Sequence, residues 1–333
     1  AAAVFTEAAA VEPRGRITHG DLGIWSAEHA AVLKPVTSFL RRNGALPAIQ
    51  IAHAGRKASM QRPWHGNGPI DDTDRARGEE NWDIVAASAE PVKDGWLMPA
   101  EISLPEIADI QASFATAAGH AVDAGFEVLE IHSAHGYLAH SFLSPLSNHR
   151  NDAYGGDLAG RMRRALEVAA AVRAEWPDDK PLFYRLSCID DEPGGWTLED
   201  SVVLAKELRQ LGIDVIDCSS RGLGQRGTPV VVPREQGFQV PFAARIRQDT
   251  DLQTMAVGLI MEPAFAESVL QQGQADLIAI GREALFTPQW PLQASLTLMG
   301  DGAYERFWQP RDAWWLEKRA RSLAAAAAAS NAT

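Results

Sequence analysis

Residues 131–156 read "IHSAHGYLAHSFLSPLSNHRNDAYGG" and place two histidines, His132 and His135, and a tyrosine, Tyr137, directly after an apolar run. The residues beyond Tyr137 are polar and glycine-bearing, unlike a helix interior. The run itself, "FEVLEIH" (126–132), is too short for a core helix and reads as a strand buried on both faces. Working outward, six more strands of the same kind are expected at "AVFTEAAAV" (3–11), "PAIQIAH" (47–53), "PLFYRLS" (181–187), "IDVIDCS" (213–219), "QTMAVG" (253–258) and "ADLIAIG" (275–281). Helices are expected between them, two with legible starts. "SLPE" (103–106) has the form of a capping box, and Thr197 opens "TLEDSVVLAKELRQLG", which stops at Gly212.

Alternating strands and helices imply a parallel sheet. A doubly wound sheet fits that alternation, but polar or glycine residues end nearly every strand, at His53, His132, Ser187, Ser219, Gly258 and Gly281. A TIM barrel carries its chemistry at those ends, so the expectation is a (β/α)8 barrel. Seven of its eight strands can be counted. The chain opens on "AAAVFTEAAAV", without methionine and already inside a strand, so the first strand is expected to be missing upstream. Residues 1–322 are expected to form one N-terminally truncated domain and 323–333 a disordered tail or frayed helix, while the Gly-, Pro- and Trp-rich stretch 54–102 reads as an excursion over the barrel mouth.

Composition narrows the function. A net charge of −12 argues against nucleic acid or an anionic membrane surface as partner. No apolar run reaches the roughly 18 residues of a membrane span. Two cysteines form neither a disulfide framework nor a four-ligand metal site, and a cytoplasmic setting is the expectation.

Chemistry-bearing residues gather at the strand ends. His132 and His135 can donate to one carbonyl oxygen, hold a metal with His53 and Asp217, or merely satisfy loop carbonyls. Gly258 and Gly281, the latter followed by Arg282, fit the backbone phosphate site that barrels form after their last strands. Gln50 can offer a donor and an acceptor to a heterocycle, or be a satisfied core amide. Arg185 inside a strand needs an anion, an electron-rich ring, or a carboxylate such as Asp217.

The combination of "QIAHAGRKAS" (50–59), "EIHSAHGYLAHSFLSPLSNHRNDAYGG" (130–156), "AVGLI" (256–260) and "IGREAL" (280–285) resembles the Old Yellow Enzyme family of FMN-dependent ene-reductases, over essentially the whole chain and most of all its bacterial xenobiotic reductases. The resemblance implies an FMN barrel taking hydride from NADPH or NADH and passing it to an alkene activated by a carbonyl or nitro group. It implies that His132 and His135 grip the substrate oxygen and that Tyr137 supplies a proton. It implies that Ala8, Gln50, Arg185, Gly258, Gly281 and Arg282 contact FMN, and that Trp290 and Trp315 line the substrate pocket. The family's first strand, with its flavin-contacting Pro-Met-Cys or Pro-Met-Thr segment, has no counterpart here. A homodimer or homotetramer is the expected assembly. The competing readings are a metal-dependent barrel hydrolase or lyase built on His53, His132 and His135, and a catalytically silent flavin-binding fragment. A dienoyl reductase is disfavoured because two cysteines cannot hold a four-iron cluster.

Overall fold

The structure, a computed structural model, describes residues 1–223 and 232–330. Its strands are β1 (Ala3–Ala10), β2 (Leu46–Ala52), β3 (Val85–Ala86), β4 (Ala100–Glu101), β5 (Val128–Ser133), β6 (Leu182–Ser187), β7 (Val215–Ser219), β8 (Gln253–Ala256) and β9 (Leu277–Ile278). Its helices are α1 (Ala27–Arg42), α2 (Asp72–Ala76), α3 (Leu104–Ala124), α4 (Leu138–Leu143), α5 (Leu158–Glu175), α6 (Leu198–Gln210), α7 (Val240–Thr250), α8 (Pro263–Gln271), α9 (Arg282–Phe286), α10 (Trp290–Met299), α11 (Ala303–Phe307) and α12 (Pro310–Ser330). Seven strands form one parallel sheet in the order β1-β2-β5-β6-β7-β8-β9, curled as an open α/β barrel. Among the described residues β1 and β9 are its two edges and do not pair with each other.

All seven expected strands appear, although β9 shrinks to Leu277–Ile278. The main core lies between the outer face of the sheet and the helices. Ile49, Ile51, Leu129, Ile131, Leu182, Tyr184, Leu186 and Ile216 point into it and meet the apolar stripe Ile107, Ile110, Phe114, Ala117, Ala118 and Ala121 of α3. That i, i+3, i+4 spacing is what makes α3 a helix with one buried face. Truncating Phe114 to Ala would cost about 3–5 kcal/mol. The expected capping box of Ser103 with Glu106 forms, the helix start expected at Thr197 is also a capping box, with Asp200, and α3 ends at Gly125 in the left-handed conformation, φ 86°.

The structure adds detail to three expectations. The polar stretch after Tyr137 does contain a helix, α4, whose six residues are all buried. It is tolerated because its polar side chains are satisfied: Ser141 Oγ donates to Leu138 O at 2.7 Å, and His140 Nδ1 accepts from Gly136 N at 2.8 Å. The excursion at 54–102 holds a two-stranded parallel sheet, β3 with β4, too short to show in any pattern. The alanine-rich stretch expected as a disordered tail or frayed helix continues α12 through Ser330, as alanine's high helix propensity allows; residues 331–333 lie outside the described chain.

Candidate active site

The alternation of side chains along each strand organises the inside of the barrel. At the bottom, Ala48, Val128, Phe183, Val215 and Met255 form a small apolar floor, with Phe5 and Ala279 packed against it. Two residues further along, the inward positions become Gln50, Glu130, Arg185 and Asp217. Two further still they become Ala52, His132, Ser187 and Ser219. The register carries these across the sheet: Gln50 lies opposite Glu130, His132 opposite Arg185, Arg185 opposite Asp217, and Ser187 opposite Ser219. The lumen thus passes from apolar to charged to polar toward the C-terminal ends of the strands, where barrels place their chemistry.

The turn after β5 is sharply bent. His135 has φ 60° and Gly136 φ 76°. A non-glycine residue in that region is strained, and such strain persists where the surroundings enforce it. Here they do. A Cβ on Gly136 would lie 2.2 Å from Gly222 O, so only glycine permits this backbone approach. Lys57 Nζ clamps the two segments, donating to His135 O at 2.6 Å and also to Gly222 O. Below, the ring of His140 accepts from Gly136 N and faces Asp190 Oδ1 at 2.8 Å with its other nitrogen, both side chains fully buried.

The bend brings three rings together. His132 meets His135 at 5.1 Å and Tyr137 at 5.0 Å between centroids, both edge to face. Burial, followed for His132 by the neighbouring His135 and Arg185, holds both imidazoles well below the usual histidine range, so both are neutral at pH 7. His132 Nδ1 accepts from Ala134 N at 3.2 Å, which leaves the ring proton on Nε2. His135 is held by its backbone N–H donating to Ser187 Oγ at 2.9 Å and by Nε2 against Ser219 Oγ at 2.6 Å. Burial pushes the Tyr137 phenol up to about 12, so it carries its proton throughout the physiological range. Lys57 lies 5.8 Å from its ring centroid and is itself pushed down to about 8 by burial and then by Arg56.

Of the expected cofactor residues, Gln50 donates from Nε2 to Glu130 Oε1 at 2.6 Å. Arg185 Nε lies 3.1 Å from Asp217 Oδ2, and the Arg185 side chain keeps 24% of its surface exposed. Ala8 lies opposite Gln50 in the sheet and lines a small cavity with Ala10, Ala52, Ala54 and Tyr137. Gly258 is buried with φ 120°. Gly281 has open space where a Cβ would stand and, with Arg282, begins α9 at the exposed end of the sheet. A second free amide hydrogen and carbonyl on Gln50, beside an incompletely covered guanidinium, fit the polar edge of a flat heterocycle.

The contacts of the two expected pocket tryptophans are with residues other than the histidines. Trp290 donates from Nε1 to Met261 O at 2.5 Å and packs on the outer core. Trp315 sits on α12, 60% exposed and edge-on to Trp314 at 4.6 Å. His53, proposed as a metal ligand, has both ring nitrogens engaged, Nδ1 by Gly55 N at 3.0 Å and Nε2 by Glu12 Oε1 at 2.8 Å. The donors close enough to share a cation, among the described residues, are instead His65, Asp74 and Glu79, in the excursion. Sequence reasoning missed two participants: Lys57, inside "HAGRKAS", which carried no signal of its own, and Glu130, inside "FEVLEIH". An acid in the middle of an apolar strand was the available clue for the second.

An open parallel α/β barrel with Gln50, Arg185 and a neutral histidine pair toward the C-terminal ends of its strands fits a flavoprotein oxidoreductase. The chain belongs to the NADH:flavin oxidoreductase / NADH oxidase family, whose model matches residues 1–299. It is 40% identical to an NADPH dehydrogenase of Geobacillus sp. over 92% of this chain and 84% of the relative. Among solved structures, morphinone reductase in complex with tetrahydroNAD superposes with a TM-score of 0.70 at 24% identity, covering 88% of this chain and 77% of that one. The old yellow enzyme homologue of Zymomonas mobilis does so with 0.67 at 25% identity, over 86% and 77%. The protein is therefore an FMN-dependent oxidoreductase of Old Yellow Enzyme type that takes its electrons from a reduced nicotinamide. No helix of the described residues is long and apolar enough to cross a membrane.

Proposed function

We propose that the protein reduces the C=C bond of α,β-unsaturated carbonyl or nitro compounds, with NADPH as donor in keeping with its relatives. The observation that carries this reading is the tautomer of His132. A neutral imidazole whose Nδ1 already accepts a backbone N–H must present Nε2–H as a donor, and His135 stands beside it. Donors of this kind bind a substrate oxygen and gain strength as it becomes an enolate or nitronate. Being neutral, they do so without surrendering a proton to it.

Gln50 and Arg185 would hold the pyrimidine edge of FMN, with Gly258, Gly281 and Arg282 toward its phosphate. FMN, when bound, supplies the hydride. Tyr137 holds a proton at the other side of the pair and is suited to deliver it to the α-carbon, since a phenol held up to about 12 keeps its proton until a carbanion-like centre demands it. The Lys57 clamp and the Gly136–Gly222 contact keep the histidines at their spacing. The test is reduction of an enone by NADPH together with titration of a phenol, which mimics the enolate oxygen. His132→Ala should lose phenol binding and retain FMN; loss of FMN with phenol binding intact would make the pair structural.

A further inference from the structure

Glu130 and Asp217 are fully inside the barrel, on β5 and β7, with Arg185 between them on β6. They face the same lumen from either side of Arg185, close enough that Asp217 is one of the groups that raise the Glu130 carboxyl. Glu130 Oε1 accepts from Gln50 Nε2, and Asp217 Oδ2 faces Arg185 Nε. The remaining oxygens, Glu130 Oε2 and Asp217 Oδ1, are both buried and neither receives a proton from any donor. Two neighbouring buried carboxylates repel each other while both are charged, and one proton shared between them relieves that repulsion.

We propose that Glu130 and Asp217 are positioning residues for the cofactor's pyrimidine edge, that they share a single proton, and that with Arg185 they form a trio of no net charge. This rests on the FMN assignment and extends it below the ring. Glu130, acting as the acid, fixes which way the Gln50 amide faces, because its carbonyl-side oxygen accepts from Nε2 and leaves the amide oxygen and second N–H for the ring. Asp217, acting as the carboxylate, aims the guanidinium. Loss of the shared proton would place a second negative charge beneath a ring that itself gains negative charge on reduction.

The groups facing the pair are Gln50 from β2, Arg185 from β6 and Met255 from β8, with His132 and His135 above. Only Arg185 among them is charged at neutral pH. Burial first, and Asp217 second, push the Glu130 carboxyl up to about 8, and burial also raises Asp217. Lys57 titrates in the same window, so the decisive comparison uses a variant that removes the acid's step alone.

The experiment follows FMN binding by quenching of flavin fluorescence from pH 6 to 9.5 in the wild type, Glu130→Gln and Glu130→Ala. Infrared difference spectra of the apoprotein read the carboxyl proton directly. The wild type is expected to lose affinity about tenfold as pH rises through about 8, one further charge at close range being equivalent to roughly one decade. Glu130→Gln copies the protonated form and should match the wild type at pH 7 within about twofold, with that alkaline step removed. Glu130→Ala leaves Gln50 unanchored and should bind about tenfold more weakly at every pH. A protonated carboxyl band at pH 7, absent from Glu130→Gln, is expected whether or not FMN binds, so a failure to bind FMN would strike the cofactor assignment while the band decides the shared proton. The inference is overturned if the band is missing, if Glu130→Gln binds as weakly as Glu130→Ala in a folded protein, or if the wild type shows no step near pH 8.

Discussion

Strands β2 to β7 and the segment from β8 to α12 continue the same alternation of elements, yet their side chains are held very differently. In the first region nearly every inward polar group has a named partner: Gln50 on Glu130, Arg185 beside Asp217, His132 on Ala134, His135 on Ser187 and Ser219. In the second, β9 is two residues long, Gly281 and Arg282 are exposed, and large apolar side chains face solvent, Leu285 at 84% and Phe286 at 85%. A site pre-organised by its own hydrogen bonds offers fixed donors to a developing charge, whereas an exposed glycine–arginine end acquires its order from the anion it binds. On the proposed assignment, the substrate end would be a property of the chain alone and the phosphate end a property of the chain with its cofactor.

The largest effect expected from that contrast belongs to the histidine pair. Replacing either His132 or His135 by Ala should lower the rate of enone reduction about 10²–10³-fold, with FMN content unchanged in the absorption spectrum. A loss under about threefold would mean that the bound oxygen is stabilised elsewhere. The rate should also show no histidine step between pH 5.5 and 7.5, because burial keeps both imidazoles neutral across that range.

Lys57 comes next, since it ties the bend at His135 to Gly222. Lys57→Met should cost about 2 kcal/mol in urea unfolding, two half-buried carbonyls losing a charged donor. The pH dependence has a definite sign. Burial holds the folded-state amine at about 8, below its ordinary 10.5, so between those values the unfolded chain binds more protons and stability rises with pH. Glu130 acts oppositely: raised from 4.5 to about 8, it makes stability fall across that lower window. Lys57→Met should flatten the upper limb and leave the lower one; a change confined to the lower limb would refute the assignment.

The phosphate end supplies the smaller functional effect. Arg282→Ala should weaken FMN binding about tenfold, as expected for loss of one partly solvated charge-assisted contact, while phenol affinity of the FMN-saturated protein stays constant. If phenol affinity fell in parallel, the two regions would not be independent.

This contrast also explains what could be read in advance. The seven strands were legible because buried parallel strands are runs of apolar residues, and α3 and α6 because their caps are local signals. His132, Gln50 and Arg185 stood out because each is a polar residue at the end of or inside an apolar run, His135 because it follows His132 by three residues, whereas the role of Tyr137 came from the family resemblance. Lys57 was not, since a lysine in a loop is ordinarily solvated and only the fold puts the carbonyls of His135 and Gly222 within its reach. Glu130 was overlooked because its acid role depends on Asp217, 87 residues away in sequence and close to it only once β5, β6 and β7 are side by side. The short helix α4 depends in the same way on His140 and Ser141 finding partners.

The smallest effect is expected at the tryptophans, and it separates packing from recognition. Trp290 ties α10 to the β8–α8 connection through its bond to Met261 O, so Trp290→Phe should lose about 1 kcal/mol, the ordinary net value of one such bond. Trp315 lies 60% exposed on α12 with only its edge against Trp314, and Trp315→Ala should change stability by no more than about 0.5 kcal/mol, as at other surface sites away from the core. Its effect on phenol affinity should be equally small, because nothing in the placement of α12 sets the indole against His132 or His135. A loss of tenfold or more in phenol affinity on removing Trp315, in a variant as stable as the parent, would show that α12 swings over the barrel mouth when ligand binds. The exposed apolar surface of Leu285, Phe286 and Trp315 would then be the underside of a pocket that closes on its substrate.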